Sequence, residues 1–217
     1  MKIFLLSMTN NLIPKLSLKM KEEIDKRGGK IAYISSVPQS GDKPYYLSTI
    51  VDYSVITSTV MVDYFDLGDT FSDDQIASLQ DYKIIYLSGG NTFTFMNDAR
   101  KRGLKDILET FLNNDGLLIG ASAGSIMCTD SIEIALDSDE NKIGMTDFSG
   151  FGFVNLTFYP HSNTSNNENL LLKEYQKKNG GEIIVCEDGS GLFIDGKERF
   201  FMEMFLYLQT SALIFTL

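Results

Sequence analysis

One histidine, two cysteines, four prolines and no tryptophan occur in 217 residues. The scarcity of histidine and cysteine removes a class of function. Two thiols and a single imidazole fall short of the four ligands of an ordinary structural zinc site, so no metal is expected. Cys128 and Cys186 lie far apart with no partner motif, which points to a reduced, cytoplasmic compartment. Basic residues are also outnumbered, 19 Lys and Arg against 29 Asp and Glu, for a net charge of -10. Binding to nucleic acid needs a concentrated basic surface. The cations here are scattered over helix-like stretches such as "KLSLKMKEEIDKR" and "KEYQKK", so no nucleic-acid partner is expected. Nor does any apolar run approach the ~18 residues that cross a bilayer. The opening "MKIFLLSMTNNL" lacks the long apolar region and small-residue cleavage site of a secretion signal, so it reads as a first buried strand with no membrane partner.

What is present is an ordinary globular composition, 43% hydrophobic. Short β-rich runs alternate with helical stretches. Strands are expected at 2–7, 30–36, 61–67, 83–88 and 116–121. Between them fall helices within 13–28, 43–57, "SDDQIASLQD" with its Ser cap, 92–102 and 104–114. Apolar strands joined by helices imply a parallel sheet covered on both faces. Beyond residue 130, "SIEIAL", "GFVNLTF", "GEIIVCED", "GLFIDG" and "ERFFM" read as short strands around one helix near 166–178, some forming an antiparallel extension. No low-complexity linker or internal repeat interrupts the chain, so a single domain spanning 1–217 is expected. The apolar end, "FLYLQTSALIFTL", is compatible with packing on the body or on another subunit.

Ligands of such sheets gather at the carboxyl ends of the strands. Two Gly-rich turns fall there, "SGGNT" and "GASAGS". The second contains G-x-S-x-G as Gly120, Ser122 and Gly124, between an apolar strand and a helix-compatible "IMC". Small neighbours permit a strained turn that exposes the hydroxyl. Serine is a weak nucleophile and needs a base, and His161 is the one imidazole available. A carboxylate to orient it is sought in "ALDSDENK", from Asp137, Asp139 or Glu140; Asp137 comes first after the apolar run, while an acidic surface turn is the plainer reading of the group. Oxyanion donors are sought at the Ala123 amide and in the turn holding Gly89 and Gly90, with Asn91 or Thr92 as a helix cap.

Together "LSGGNTFTFM", "GASAGSIMC" and "GFGFVNLTFYPHSN" resemble the peptidase E and cyanophycinase family of serine peptidases. The resemblance implies an α/β fold like that of class I glutamine amidotransferases: a three-layer sandwich with a largely parallel central sheet, a flavodoxin-like variant. It implies Ser122 as nucleophile, His161 as base and Asp137 as the acid, with Gly90 and Ala123 forming the oxyanion hole. Asn91 and Glu187, the latter in "CEDGS", fall on the substrate side. The implied activity is cofactor-free hydrolysis of short peptides, aspartyl dipeptides among them, through an acyl-enzyme in a monomer or homodimer. One departure is that no Arg follows His161 before Arg199; Lys173, Lys177 and Lys178 are the candidates to substitute, with a solvated helix face as their plainer reading. Two other readings stand beside this one: a non-catalytic member that binds a small acidic or nucleotide-like ligand, and a cyanophycinase-like β-aspartyl amidohydrolase.

Overall fold

In a computed structural model of the chain, described for residues 1–36, 43–58, 60–68, 71–163, 165–202, 205–209 and 212–216, side-chain alternation in the first strands sets the layers. In β1 (Lys2–Leu6), Ile3 and Leu5 enter one apolar cluster while Phe4 and Leu6 enter the other. The same split recurs in β2 (Lys30–Ser35), β4 (Ile84–Leu87) and β5 (Leu117–Ala121). A strand apolar on both faces must be covered on both. Helices α1 (Pro14–Asp25) and α2 (Pro44–Ile56) cover one face through Leu16, Met20, Ile24 and Tyr53. On the other lie α4 (Thr92–Lys101), α5 (Leu104–Asn113) and α6 (Ala123–Met127), which contribute Phe93, Leu108 and Ile126. The short α3 (Asp73–Ala77) is opened by a full capping box between Ser72 and Gln75.

The main sheet has seven strands in the order β3-β2-β4-β5-β1-β8-β9. From β3 (Met61–Asp66) to β1 every pairing is parallel. Then β8 (Gly191–Asp195) runs antiparallel to β1, and β9 (Glu198–Met202) antiparallel to β8. This is the mostly parallel three-layer α/β sandwich that the strand pattern implied, with its antiparallel extension on the β1 side.

A four-stranded sheet, β11-β10-β7-β6, carries the remainder. Here β6 (Thr157–Tyr159) is parallel to β7 (Ile183–Cys186), and α7 (Asn166–Asn179) connects them. The apolar terminal stretch supplies β10 (Phe205–Gln209), paired with β7, and β11 (Ala212–Thr216), paired with β10. Phe158, Ile183, Ile184 and Val185 of this sheet belong to the same buried cluster as Leu5 and Leu87 of the main one.

Two expected strands are corrected. The segment "SIEIAL" lies in a 3-10 turn over Glu133–Asp137, because Ala135 is buried beside Ile134 while Leu136 is exposed, which breaks an alternation of two. "GFVNLTF" is strand only from Thr157, with Val154 making a single bridge to Thr129. Among the described residues no helix is long and apolar enough to cross a membrane.

One buried charge in α1 gives the fold a pH signature. Glu23 is almost fully buried; burial favours its neutral form, but hydrogen bonds from Lys19 and Arg27 and the Lys2 charge outweigh that and hold its pKa at about 2. A carboxylate depressed on folding stabilises the native state above its ordinary value of 4.5, and that contribution disappears as the pH falls through about 2. Urea midpoints should therefore fall less steeply with acidification across this window in Glu23→Gln than in the wild type; parallel slopes would contradict the assignment.

Candidate active site

The site is assembled from strand ends. Strand β5 stops at Ala121, and Ser122 follows at φ 52°, ψ -115°, a region a side chain seldom occupies. Its N–H donates to the Leu6 carbonyl at 3.0 Å, and its carbonyl accepts from Ser125 and Ile126 as α6 begins. Two glycines let the bend close. A Cβ on Gly124 would stand 2.3 Å from the Leu87 carbonyl oxygen, and one on Gly120 would stand 2.7 Å from the Gly124 backbone. The Gly124 amide donates to the Ser88 carbonyl at 3.1 Å, clamping α6 against the end of β4. The turn after β4 lies against the same serine: a Cβ on Gly89 would be 3.4 Å from that of Ser122, and Gly90 adopts φ 127°.

The imidazole arrives from the second sheet. After β6, Pro160 leads into His161 at φ 59°, and the Ser162 amide donates to the Cys186 carbonyl at the end of β7. Glu168 accepts from the Ser162 hydroxyl and, at 2.9 Å, from the Asn163 amide, which ties down the chain just past the histidine. His161 Nε2 is 2.8 Å from Ser122 Oγ, and Nδ1 is 2.6 Å from Asp188 Oδ1. A carboxylate can only accept, so Nδ1 carries the hydrogen and the Nε2 lone pair faces the Ser122 hydroxyl. Both thiols are out of play: Cys128 and Cys186 are buried, and burial pushes their pKa well up from the ordinary range.

The expected residues thus separate. Ser122 and His161 meet, and Gly90 and Ala123 lie in the turn and at the helix start that flank the serine. Asp137 does not stand behind the imidazole; its Oδ2 accepts from the Tyr159 hydroxyl at 2.8 Å. Asp139 accepts from the Thr92 amide at 2.7 Å, at the start of α4. Asn91 is a helix cap more than an open ligand-binding group. Its Oδ1 accepts from the Thr94 amide at 3.0 Å and its Nδ2 donates to the Glu140 carbonyl at 2.9 Å. Glu187 shapes the turn after β7, its carbonyl accepting from the amide and hydroxyl of Ser190. The group facing the imidazole is the next residue along, Asp188.

Asp188 and Ser7 are the two members the sequence did not disclose. Ser7 follows β1 directly; its hydroxyl donates to Asp188 Oδ1 at 2.8 Å and accepts from the His161 amide at 2.8 Å. Both residues sit just past the carboxyl end of a strand, a positional signal present in "KIFLLS" and "CEDGS".

Fold and site define a class: a mostly parallel α/β protein with a serine on a strand-to-helix elbow, in contact with a carboxylate-backed imidazole. The chain belongs to peptidase family S51, whose model matches residues 3–201, and is a peptidase. An uncharacterized peptidase of Listeria monocytogenes is 22% identical over 201 residues, covering 90% of this chain and 95% of that one. Peptidase E of Shigella sonnei is 30% identical over 113 residues, 50% of this chain and 46% of its own. Among solved structures, a protein from Listeria monocytogenes provisionally named peptidase E superposes with a TM-score of 0.76 at 21% identity, over 94% of this chain and 98% of that one. A peptidase from an acI-B1 actinobacterium gives 0.68 at 14% identity, over 99% and 96%.

Gly124→Ala must push α6 off the Leu87 carbonyl, an overpacking cost of about 1–3 kcal/mol, visible as a lowered urea midpoint with unchanged m-value. Asp188→Asn should alter the Nδ1 proton resonance of His161, which is readily assigned because the chain has one histidine. Asp137→Asn should leave that resonance in place; the reverse result would return Asp137 to the imidazole.

Proposed function

We propose that the protein is a serine-type exopeptidase acting on short peptides, with aspartyl dipeptides the first substrates to test. The observation that carries this reading is the unbroken polar path from Ser122 Oγ to His161 Nε2 at 2.8 Å and from Nδ1 to Asp188 at 2.6 Å. Ser122 Oγ attacks the substrate carbonyl as its proton passes to Nε2. The tetrahedral oxyanion is stabilised by the amides of Ala123 and Gly90. Collapse breaks the C–N bond, and the amine leaves with the proton from Nε2. A water then loses a proton to Nε2, attacks the acyl ester and releases the acid, and the proton returns to Ser122. Asp188 holds the Nδ1–H tautomer and stabilises the imidazolium formed in both steps.

The side-chain preference is the finer part of the proposal. The polar contacts among Ser122, His161, Asp188 and Ser7 include no lysine or arginine among the described residues. Lys178, one of the cations after the histidine, is committed to Glu133 at 2.6 Å. A bound aspartyl carboxylate would therefore be held by neutral donors of this cluster, or by a cation outside it.

Fluorophosphonate labelling tests the nucleophile: the wild type should label and Ser122→Ala should not, while His161→Ala should slow labelling by roughly 10⁶-fold. Hydrolysis of a panel of α- and β-aspartyl and non-aspartyl dipeptides then reads the substrate class. Cleavage confined to β-linked members would favour an amidohydrolase. An unlabelled wild type that hydrolyses nothing would favour a ligand-binding member of the fold.

A further inference from the structure

We propose that Ser7 is a positioning residue of this site, its hydroxyl fixing the Asp188 carboxylate and the His161 main chain so that the imidazole spans from Asp188 to Ser122. The inference rests on the reading of Ser122 and His161 as nucleophile and base. Its support is independent of the substrate.

Placement comes first. β1 and β5 are parallel neighbours with Leu6 opposite Ala121, so the residues that follow, Ser7 and Ser122, leave the sheet side by side. Ser7 is completely buried. Its amide donates to the Ser190 carbonyl at 3.1 Å, which binds the end of β1 to the turn that carries Asp188.

The hydroxyl then both donates and accepts. A serine has one hydrogen to give, and it goes to Asp188 Oδ1 at 2.8 Å. A lone pair accepts the His161 amide at 2.8 Å. The 3.5 Å separation between Ser7 Oγ and Nδ1 is therefore proximity, since the hydroxyl hydrogen is already committed and Nδ1–H points to the carboxylate.

Both groups it holds need holding. The Asp188 side chain is 52% exposed, on a turn, and a carboxylate in that position is free to rotate into water unless a second donor shares its oxygen. His161 sits at φ 59°, where an anchored amide keeps the backbone from relaxing to an ordinary conformation. One buried hydroxyl meets both demands. Supporting groups of this kind set the geometry of the residues that do the chemistry, and their loss commonly costs ten- to a hundred-fold in function.

The test combines labelling kinetics with the resonance of the single histidine. In Ser7→Ala the maximal fluorophosphonate labelling rate should fall about tenfold or more, with the half-saturating probe concentration unchanged within about twofold. The His161 Nδ1 proton should broaden or shift upfield as the contact to Asp188 loosens. Ser7→Cys, which keeps a weak donor and acceptor in similar volume, should fall between alanine and wild type, and it decides the question if the alanine variant does not fold. A folded Ser7 variant with wild-type labelling and an unmoved Nδ1 proton overturns the proposal, even if its thermal stability is lowered. Should the wild type itself resist labelling, the nucleophile assignment fails, and the proton resonance alone then decides whether Ser7 positions the imidazole.

Discussion

The backbone at Ser122 is the constraint on which the rest of the site depends. A non-glycine residue at φ 52°, ψ -115° is strained by about 1–3 kcal/mol, and such a conformation persists only where its surroundings over-determine it. Here they do. The Ser122 amide is spent on Leu6, the Gly124 amide on Ser88, and the absent side chains of Gly120 and Gly124 allow α6 to press onto β5 and the end of β4. Relaxing the serine would require peeling α6 away from both strands and opening the cluster that contains Ile126 and Met127. The strain is thus held by apolar packing, and its effect is to aim a hydroxyl out of the sheet edge at a fixed height.

That fixed hydroxyl explains why the polar partners can come from loops. His161, Asp188 and Ser7 follow three different strands, β6, β7 and β1; the Ser7 amide is tied to the Ser190 carbonyl and the His161 amide to the Ser7 hydroxyl, while Asp188 is held through its carboxylate. Asp188 accepts from both the imidazole and Ser7, which leaves Nε2 as the free lone pair of the ring. Orientation and tautomer are set by one oxygen atom. A site whose proton acceptor is prepared this way needs no conformational adjustment of the base before attack.

The sequence disclosed what depends on local pattern. Near-continuous apolar runs in β1, β2, β4 and β5, joined by helices, foretold strands covered on both faces, and the G-x-S-x-G spacing foretold a bend that requires glycine where Gly120 and Gly124 stand. His161 was legible because no other imidazole exists. Asp188 was not, because its contact with His161 spans 27 residues and is created by the β6–β7 pairing and by β8 docking on β1. A search confined to the acids between serine and histidine could not reach it. Ser7 is more remote still, 154 residues from His161, and a serine ending a strand has nothing in its local sequence to separate it from any other. The 3-10 turn at Glu133–Asp137 was misread for a related reason. Ile132, Ile134 and Leu136 alternate as a strand would, but exposure of Leu136 and burial of Ala135 are decided by tertiary packing.

The acids after the elbow nevertheless have a structural part in the site. Asp139 accepts from the Thr92 amide and the Glu140 carbonyl accepts from Asn91, so this segment grips the first turn of α4 next to Gly89 and Gly90. The turn after β7 grips the imidazole from its other end through Asp188. Two acidic loops therefore brace opposite sides of one serine, one bracing the turn expected to supply an oxyanion donor and the other orienting the base. An acidic chain can sustain this arrangement because each carboxylate has directed donors in place of a cation: Asp139 accepts from a helix-start amide, and Asp188 from a hydroxyl and an imidazole N–H. The net charge of -10 is thus compatible with carboxylates at the centre of the site. They are stabilised by directed hydrogen bonds, which a distant excess of like charge does little to weaken.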